Sequence, residues 1–310
     1  MDSGRNLIPT EQNLSRGVLK LRRLTVPMSL TRAFEEDEAG PEIRRIFADI
    51  RVSFDLPYVP TLFKVLAGAP VYLRLMWHDL GHVAASREFH AAALGMQEFV
   101  RSQAISGGWR FCDQERALAE QKISTEDSFV LAGVVGGFAR AFPGLVLFVR
   151  LMQLGYAGGQ SGRVAAAKFS PALSRLITVH VPNEREASLR VWLIYNEIKR
   201  FTGDKQVMGL FRALSPFPGY LASSWMDCKR LLNERTFQYA RDEIARRASS
   251  MITGMPVHDH RILGRQISPE QWHDIEELVD NHVRLAPGYA LLASSWRRSF
   301  ATEHVRIRAA

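Results

Sequence analysis

The sequence predicts an all-α fold in which two helical repeats pack as a pseudo-dimer. Sliding the chain by 148 positions gives 14 identities between residues 43–92 and 191–240 without a gap. A second match, at an offset of 144, aligns an Arg-x-x-Pro-Gly motif at 140–144 with the same motif at 284–288. Apolar residues in both copies recur at helical spacing, and no convincing alternating strand occurs. Two copies of one unit should meet about a pseudo-twofold axis, where we expect a ligand cavity.

The first helix of each repeat follows from one apolar stripe. In residues 42–54, Ile43, Ile46, Phe47 and Ile50 share one face, and Pro41 stands where a helix begins. The counterpart stripe contains Val191, Ile194, Tyr195 and Ile198.

Later helices are predicted from their start signals. Pro70 and Pro218 should open the second pair of helices. These helices carry aromatic residues that we interpret as core, namely Tyr72, Trp77, Tyr220 and Trp225. A third pair covers about 88–105 and 236–251, and a fourth covers 126–140 and 269–284. The proline of each Arg-x-x-Pro-Gly motif should end the fourth helix and open another, because proline lacks the N–H that a helix interior needs.

These patterns divide the chain into five segments. We predict a poorly packed arm at 1–40, a first repeat at 41–157 and a linker rich in Gly, Ala and Ser at 158–188. A second repeat at 189–300 and a tail at 301–310 complete the chain.

Composition narrows the class of protein. The chain has 310 residues, is 46% apolar and carries a net charge of +8. No run of eighteen apolar residues or signal-peptide core is present, so we expect no membrane span. The two cysteines, Cys112 and Cys228, form no CxxC pair, which suits a reducing cytoplasm. The basic residues are scattered, so an anionic small substrate or a solvated surface explains the charge as well as a nucleic acid does.

The two copies differ at one acidic residue. The first repeat has Leu56 where the second has Asp204, in a Thr-Gly-Asp-Lys sequence at 202–205. A carboxylate at a junction between helices could line a pocket and act on a substrate. The same four residues are also ordinary turn chemistry, so spacing alone leaves a solvent-exposed turn open.

Strings in both repeats, such as L-P-Y-V-P at 56–60 and F-T-G-D-K at 201–205, resemble the group I 2-haloacid dehalogenases (the DehI type). The first repeat contains D-I-R, L-P-Y-V-P and A-P-V-Y-L-x-x-x-W between residues 49 and 77, where that family has D-I-R, V-P-W-V and F-P-G-Y-L-x-x-x-W. The second repeat contains F-T-G-D-K-Q-V-M-G-L-F at 201–211, similar to the family's G-P-A-S-D segment, and I-S-P-E-Q-W at 267–272, similar to its T-P-E helix. The resemblance covers about residues 41–298. It implies an all-α duplicated fold and cofactor-free hydrolysis of a 2-haloalkanoate.

The resemblance also implies roles for individual residues. Asp204 falls on the aspartate that activates water for direct displacement of halide, with inversion and without an ester intermediate. Gly203 replaces the serine before that aspartate, Tyr58 replaces a tryptophan, and Thr61 replaces a pocket phenylalanine. Phe142 stands where the family has an asparagine that helps to position the water or substrate.

The departures from the family pattern leave two functions open. The chain is either a dehalogenase of altered specificity or a divergent relative that uses the same cavity for isomerisation, cyclisation or ligand binding. Bulky Tyr58 and Phe142 suggest a larger substrate. We include His282 among the substrate-binding residues, and Arg140, at a predicted helix end, could clamp a carboxylate or complement a helix terminus. A homodimer is compatible with the sequence.

Histidine motifs raise a separate possibility of metal binding. His78 and His82 lie four residues apart on one helix, but the glutamate of an H-E-x-x-H motif is missing. His258 and His260 flank Asp259 in a glycine-bounded loop. A polar helix face explains the first motif more simply, and the second could bind metal adventitiously, so we predict no metal site or cofactor.

Overall fold

The computed structural model describes residues 30, 32–56, 58–111, 114–156 and 180–309. Helices account for most of these residues, and no β-strand occurs among them, in agreement with the predicted all-α class. The first group of helices is α1 (Pro41–Phe54), α2 (Thr61–Leu66), α3 (Pro70–Ala84), α4 (Arg87–Gly107), α5 (Gln114–Glu120) and α6 (Thr125–Tyr156). A 3₁₀ turn at Glu184–Glu186 precedes α7 (Leu189–Thr202), α8 (Gly209–Ala213), α9 (Pro218–Asn233), α10 (Arg235–Met251), α11 (Arg261–Gly264) and α12 (Pro269–Ala309).

The order of helices recurs along the chain. Helices α1, α2, α3 and α4 each begin 148 residues before α7, α8, α9 and α10, which is the offset of the sequence match. Helix α6 begins 144 residues before α12, which is the second offset. The helical spans therefore follow the predicted duplication, and packing about a pseudo-twofold axis stays a prediction.

The two longest helices run through prolines that were expected to break them. Helix α6 contains Pro143 and α12 contains Pro287, and both helices continue beyond the proline. Each proline removes one backbone hydrogen bond, at a cost of about 3 kcal/mol. Burial offsets this cost, because almost every residue of α6 between Val134 and Met152 is buried and α6 forms its largest interface with α12. The prediction of a helix end at these motifs was wrong because tertiary burial outweighs the local preference.

The core is built from the stripes that the sequence shows. The face of α1 that carries Ile43, Ile46, Phe47 and Ile50 is buried. The aromatic residues interpreted as core are also buried; they are Tyr72, Trp77, Tyr220 and Trp225. In the first repeat, Phe54 packs against an aromatic cluster made of Phe63, Trp77, Phe89 and Phe148.

The N-terminal segment is better packed than predicted. Leu30 and Phe34 pack against the helical core, and the Phe34 N–H donates to the Lys64 carbonyl over 2.9 Å. The Glu35 carboxylate binds two buried cations, the Lys64 ammonium and the Arg212 guanidinium. Where it is described, this part of the arm is thus fixed to the body by buried charge and apolar contact. The predicted linker lies outside the described residues up to 179, and α12 continues through most of the predicted tail.

Helix α6 is also apolar and long enough to cross a membrane. However, 78% of its most apolar window is buried inside the fold, which is typical of a core helix. Its apolar character therefore reflects its central position between α4 and α12.

Candidate functional site

A small cavity of about 60 Å³ lies between α6, α12 and the segments that precede α2 and α8. Its lining is mostly apolar, with a few polar groups, which is typical of small-molecule sites. The lining residues are Tyr58, Pro60, Thr61, Leu62, Phe138, Phe142, Leu145, Val149, Asp204, Gln206, Met208, Gly209, His282, Leu285, Ala286 and Tyr289.

Many lining residues are related by the two sequence offsets. At the offset of 148, the pairs on the cavity wall are Tyr58 with Gln206, Pro60 with Met208, and Thr61 with Gly209. At the offset of 144, they are Phe138 with His282, Phe142 with Ala286, and Leu145 with Tyr289. Matching positions of the two sequence copies therefore line one cavity, and its use as a functional site stays a prediction.

The loop after α7 holds Asp204 on the cavity wall. Helix α7 ends at Thr202, and Gly203 adopts a left-handed φ of 71°, the conformation that favours glycine at a helix C-terminus. The Asp204 N–H donates to the Thr202 hydroxyl over 3.2 Å, and the Gln206 N–H donates to Asp204 Oδ1 over 3.2 Å. Both sequence interpretations therefore apply, because the segment is a hydrogen-bonded turn and its carboxylate also lines a cavity.

Asp204 lies between the cavity and the exterior. It is half-buried, and it also lines an outer groove that includes Gly203, Lys205, Asp274, Glu277 and Arg284. On the cavity side, burial and the negative charge of Asp204 raise the pKa of Tyr289 well above its usual value. The carboxylate thus faces apolar surroundings on one side and a route to solvent on the other.

Two buried hydroxyls lie at the other side of the cavity. Tyr58 is 5% exposed, burial raises the pKa of its hydroxyl, and its ring lies 4.4 Å from the Phe138 ring. Among the described residues, neither the Tyr58 hydroxyl nor the Thr61 hydroxyl has a hydrogen-bond partner. Buried polar atoms are normally paired, so both groups are available to a polar ligand. Gly209 leaves room here, since a Cβ at that position would lie 3.4 Å from the Phe138 ring and 3.8 Å from Thr61 Oγ1.

His282 lines the same cavity. Its Nδ1 lies 2.8 Å from the Leu278 carbonyl oxygen of the preceding turn of α12. A carbonyl only accepts hydrogen bonds, so Nδ1 carries the proton. The Nε2 atom therefore remains as an acceptor in the neutral ring or as a second donor in the imidazolium ion.

The structure separates the sequence-predicted site residues into three groups. Asp204, Tyr58, Thr61, Phe142 and His282 line one cavity, and Gly203 lines the outer groove next to it. Arg140 is exposed and lies outside the cavity lining. It was predicted to end a helix, but α6 continues past it, so its side chain projects from the exposed face of a helix interior.

Sequence analysis missed several lining residues, of which Gln206, Gly209, Phe138 and Tyr289 are the most informative. The internal repeat offers a signal that could have identified them. Applying the two offsets to Tyr58 and Thr61 gives Gln206 and Gly209, and applying them to His282 gives Phe138. Tyr289 is the counterpart of Leu145 and differs from it by a polar group.

The histidines considered for metal binding have another arrangement. His260 is buried, and its Nε2 lies 2.8 Å from Asp79 Oδ2, while His258 binds the second oxygen of the same carboxylate. Within the described ranges, no group of three or more His, Cys, Asp or Glu residues is arranged to hold a metal ion. These side chains connect the loop after α10 to α3.

Comparisons with known proteins agree with this fold. A protein-family model described as halocarboxylic acid dehydrogenase DehI matches residues 57–209. The (R)-2-haloacid dehalogenase of Pseudomonas putida is 20% identical over 235 residues, which cover 74% of this chain and 77% of that protein.

Solved structures of D-2-haloacid dehalogenase share the fold. A mutant enzyme matches with a TM-score of 0.79 and 18% identity, over 89% of this chain and 98% of the other. A mutant in complex with D-2-CPA matches with a TM-score of 0.77 and 18% identity, over 88% and 97% of the two chains. The complex with L-LA matches with a TM-score of 0.78 and 19% identity, over 89% and 98%. The chain is thus similar to the DehI family over residues 57–209 and shares the fold of D-2-haloacid dehalogenase.

Proposed function

We propose that this cavity catalyses the cofactor-free hydrolytic removal of halide from a short 2-haloalkanoate, with Asp204 as the general base. The observation that carries the proposal is the place of Asp204, at the edge of a small apolar cavity and in a chain related to 2-haloacid dehalogenases. A carboxylate within reach of a confined water molecule is well suited to remove its proton.

The reaction needs one water molecule and one carboxylate. Asp204 takes a proton from the water as its oxygen attacks the carbon that bears the halogen, and the carbon–halogen bond breaks with its electron pair leaving on the halide. The product is a 2-hydroxy acid with inverted configuration, and no ester to the protein forms. The proton on Asp204 then leaves to solvent through the outer groove, which the same carboxylate lines.

The dimensions of the cavity favour a small substrate. A water molecule needs about 10–15 Å³ of such space, so about 60 Å³ corresponds to about four to six water molecules, which favours a small substrate. The rings of Tyr58 and Phe142 fill space in the cavity and do not widen it. This argues against the larger substrate that their bulk suggested from the sequence.

A second candidate is another acid–base reaction, such as isomerisation or cyclisation, or simple ligand binding in the same cavity. It is favoured by Phe142, which places an apolar ring where the family has an asparagine. Such a reaction would use Asp204 as a base without releasing halide.

Halide release tests the main proposal. We expect the protein to release chloride from D- or L-2-chloropropionate, and Asp204→Asn to lower the rate about 100-fold or more, because the amide is not a base at neutral pH. Asp274→Asn, an acid of the outer groove that does not line the cavity, is the matched control and should keep its activity. No chloride from either enantiomer or from bulkier 2-haloacids would refute dehalogenation, and equal rates for the two variants would refute the role of Asp204.

A further inference from the structure

A 2-haloalkanoate brings a second negative charge into a cavity that already holds Asp204. Two like charges in apolar surroundings are strongly unfavourable unless a cation or several hydrogen bonds compensate them. The question is which group of this chain supplies the positive charge.

No arginine or lysine of the described residues lines the cavity itself. Arg140 is exposed outside the cavity. Arg284 lies in the outer groove, where its guanidinium donates to the last backbone carbonyl of α7 over 2.9 Å. Lys64 and Arg212 are buried, but both bind the Glu35 carboxylate and neither lines the cavity.

The outer surroundings do not supply the charge either. The outer groove has four carboxylates besides Asp204, those of Asp274, Glu276, Glu277 and Asp280, and its two cations are bound there, Arg284 to the Thr202 carbonyl and Lys205 to Glu277 over 2.9 Å. Of the described residues that line the cavity itself, His282 is the one whose side chain becomes a cation near neutral pH.

We propose that His282 binds the substrate carboxylate as the imidazolium ion, and that substrate binding therefore takes up a proton. This inference rests on the proposed function and names the residue that makes an anionic substrate acceptable there. The bond from Nδ1 to the Leu278 carbonyl fixes the ring and leaves the Nε2–H of the imidazolium free to donate to a carboxylate oxygen. The hydroxyls of Tyr58 and Thr61 are neutral donors that add hydrogen bonds but no charge.

Several other groups act on the charge state of this ring. Helix α6 contributes only apolar side chains to the cavity wall, namely Phe138, Phe142, Leu145 and Val149. The titratable and charged groups of the other surrounding segments are Asp204 after α7, Tyr58 before α2, and Asp280, Arg284 and Tyr289 on α12 itself. Of the described residues that line the cavity, Asp204 is thus the one that contributes a carboxylate.

The experiment compares a charged substrate with its uncharged isostere. We would measure kcat and KM for 2-chloropropionate and 2-chloropropionamide from about pH 5.5 to about pH 8.5, the range in which histidine changes charge. The proteins are the wild type, His282→Gln, and His273→Gln as the matched control, because His273 lies on the same helix but lines only the outer groove.

We expect the KM for 2-chloropropionate to rise with pH in the wild type and in His273→Gln. His282→Gln should raise that KM about 10- to 100-fold at low pH and remove its pH dependence, the loss expected for one charge-assisted hydrogen bond. The amide should show neither effect.

Two results would overturn the role of His282 while leaving dehalogenation intact. One is an acid KM that does not change with pH or with His282→Gln, and the other is an equal change for the acid and the amide.

Binding of lactate to the wild type, measured calorimetrically in buffers of different ionisation enthalpy, requires no turnover and no variant. Proton uptake on binding supports the proposal, and binding without proton uptake refutes it, whether or not halide is ever released.

Discussion

Replacing Glu35 with glutamine tests how the N-terminal segment is held on the helical body. One Glu35 oxygen lies 3.0 Å from Arg212 Nη1, and the other binds the Lys64 ammonium. The side chains of Arg212 and Lys64 are only 2% and 5% exposed, and that of Glu35 is 16% exposed. Removing one partner of such a buried pair leaves an uncompensated charge, which costs about 3–5 kcal/mol. We expect Glu35→Gln to lower the free energy of unfolding by about this amount.

The same reasoning predicts that an apolar replacement is tolerated. Changing Glu35 to leucine and both Lys64 and Arg212 to methionine removes the buried charges together, and should recover most of the lost stability. Glu36→Gln is the matched control, because Glu36 pairs with Arg51 at 3.0 Å while both side chains are more than one-third exposed. It should change the free energy of unfolding by less than about 1 kcal/mol.

Urea unfolding followed by circular dichroism gives the free energy for each variant. The reasoning fails if Glu35→Gln costs no more than Glu36→Gln, because the buried carboxylate would then contribute nothing beyond a surface pair. It also fails if the triple variant is less stable than Glu35→Gln, because removal of all three charges should remove the penalty. Either result would mean that apolar contacts alone attach the segment.

Two further predictions concern the loop after α10, which contacts Gly155 of α6 and Asp79 of α3. Gly155→Ala would place a Cβ 2.8 Å from the buried His260 ring, so we expect the free energy of unfolding in urea to fall by about 1–3 kcal/mol. Gly137→Ala in the same helix is the control, because a Cβ there meets nothing within 4 Å and should not destabilise the protein. Equal effects of the two substitutions would refute the packing argument. Burial alone would raise the pKa of Asp79, but hydrogen bonds from His260 and His258 outweigh it and hold that pKa below its usual value. The stabilisation by Asp79 should therefore be complete above about pH 4 and decline as the pH falls below it. We expect the difference in the free energy of unfolding between the wild type and Asp79→Asn to narrow towards about pH 3.5. A difference that stays constant with pH would count against this argument.

Helix starts could be predicted from sequence because they depend on local chemistry. Helices α3, α9 and α12 begin at Pro70, Pro218 and Pro269, where proline's fixed φ and missing N–H suit the first helical position. The interior prolines 143 and 287 have the same chemistry, yet the helices continue through them. Their effect depends on how much apolar surface the two long helices bury against each other, and this is a property of the assembled fold.

The misplacement of Arg140 follows from that same error. A helix end at Pro143 would have left Arg140 beside free carbonyl groups and near a junction of helices. Because α6 continues, Arg140 instead lies on an exposed turn of a helix interior, away from the cavity. Charge and spacing alone do not reveal on which side of a long helix a residue projects relative to a cavity.

Differences between the two sequence copies indicate which residues could form the cavity wall. The first repeat contributes rings and apolar side chains to its wall, among them Phe138 and Phe142, whereas the second contributes His282 and Asp204. The counterpart of His282 is Phe138, and that of Asp204 is the buried Leu56. A perfectly symmetric cavity would hold either two acids and two histidines, with strong repulsion between the acids, or none of these groups. Placing Asp204 and His282 in one repeat gives the described cavity lining a single carboxylate and a single histidine, which is the arrangement that the proposed reaction of an anionic substrate with one activated water molecule uses.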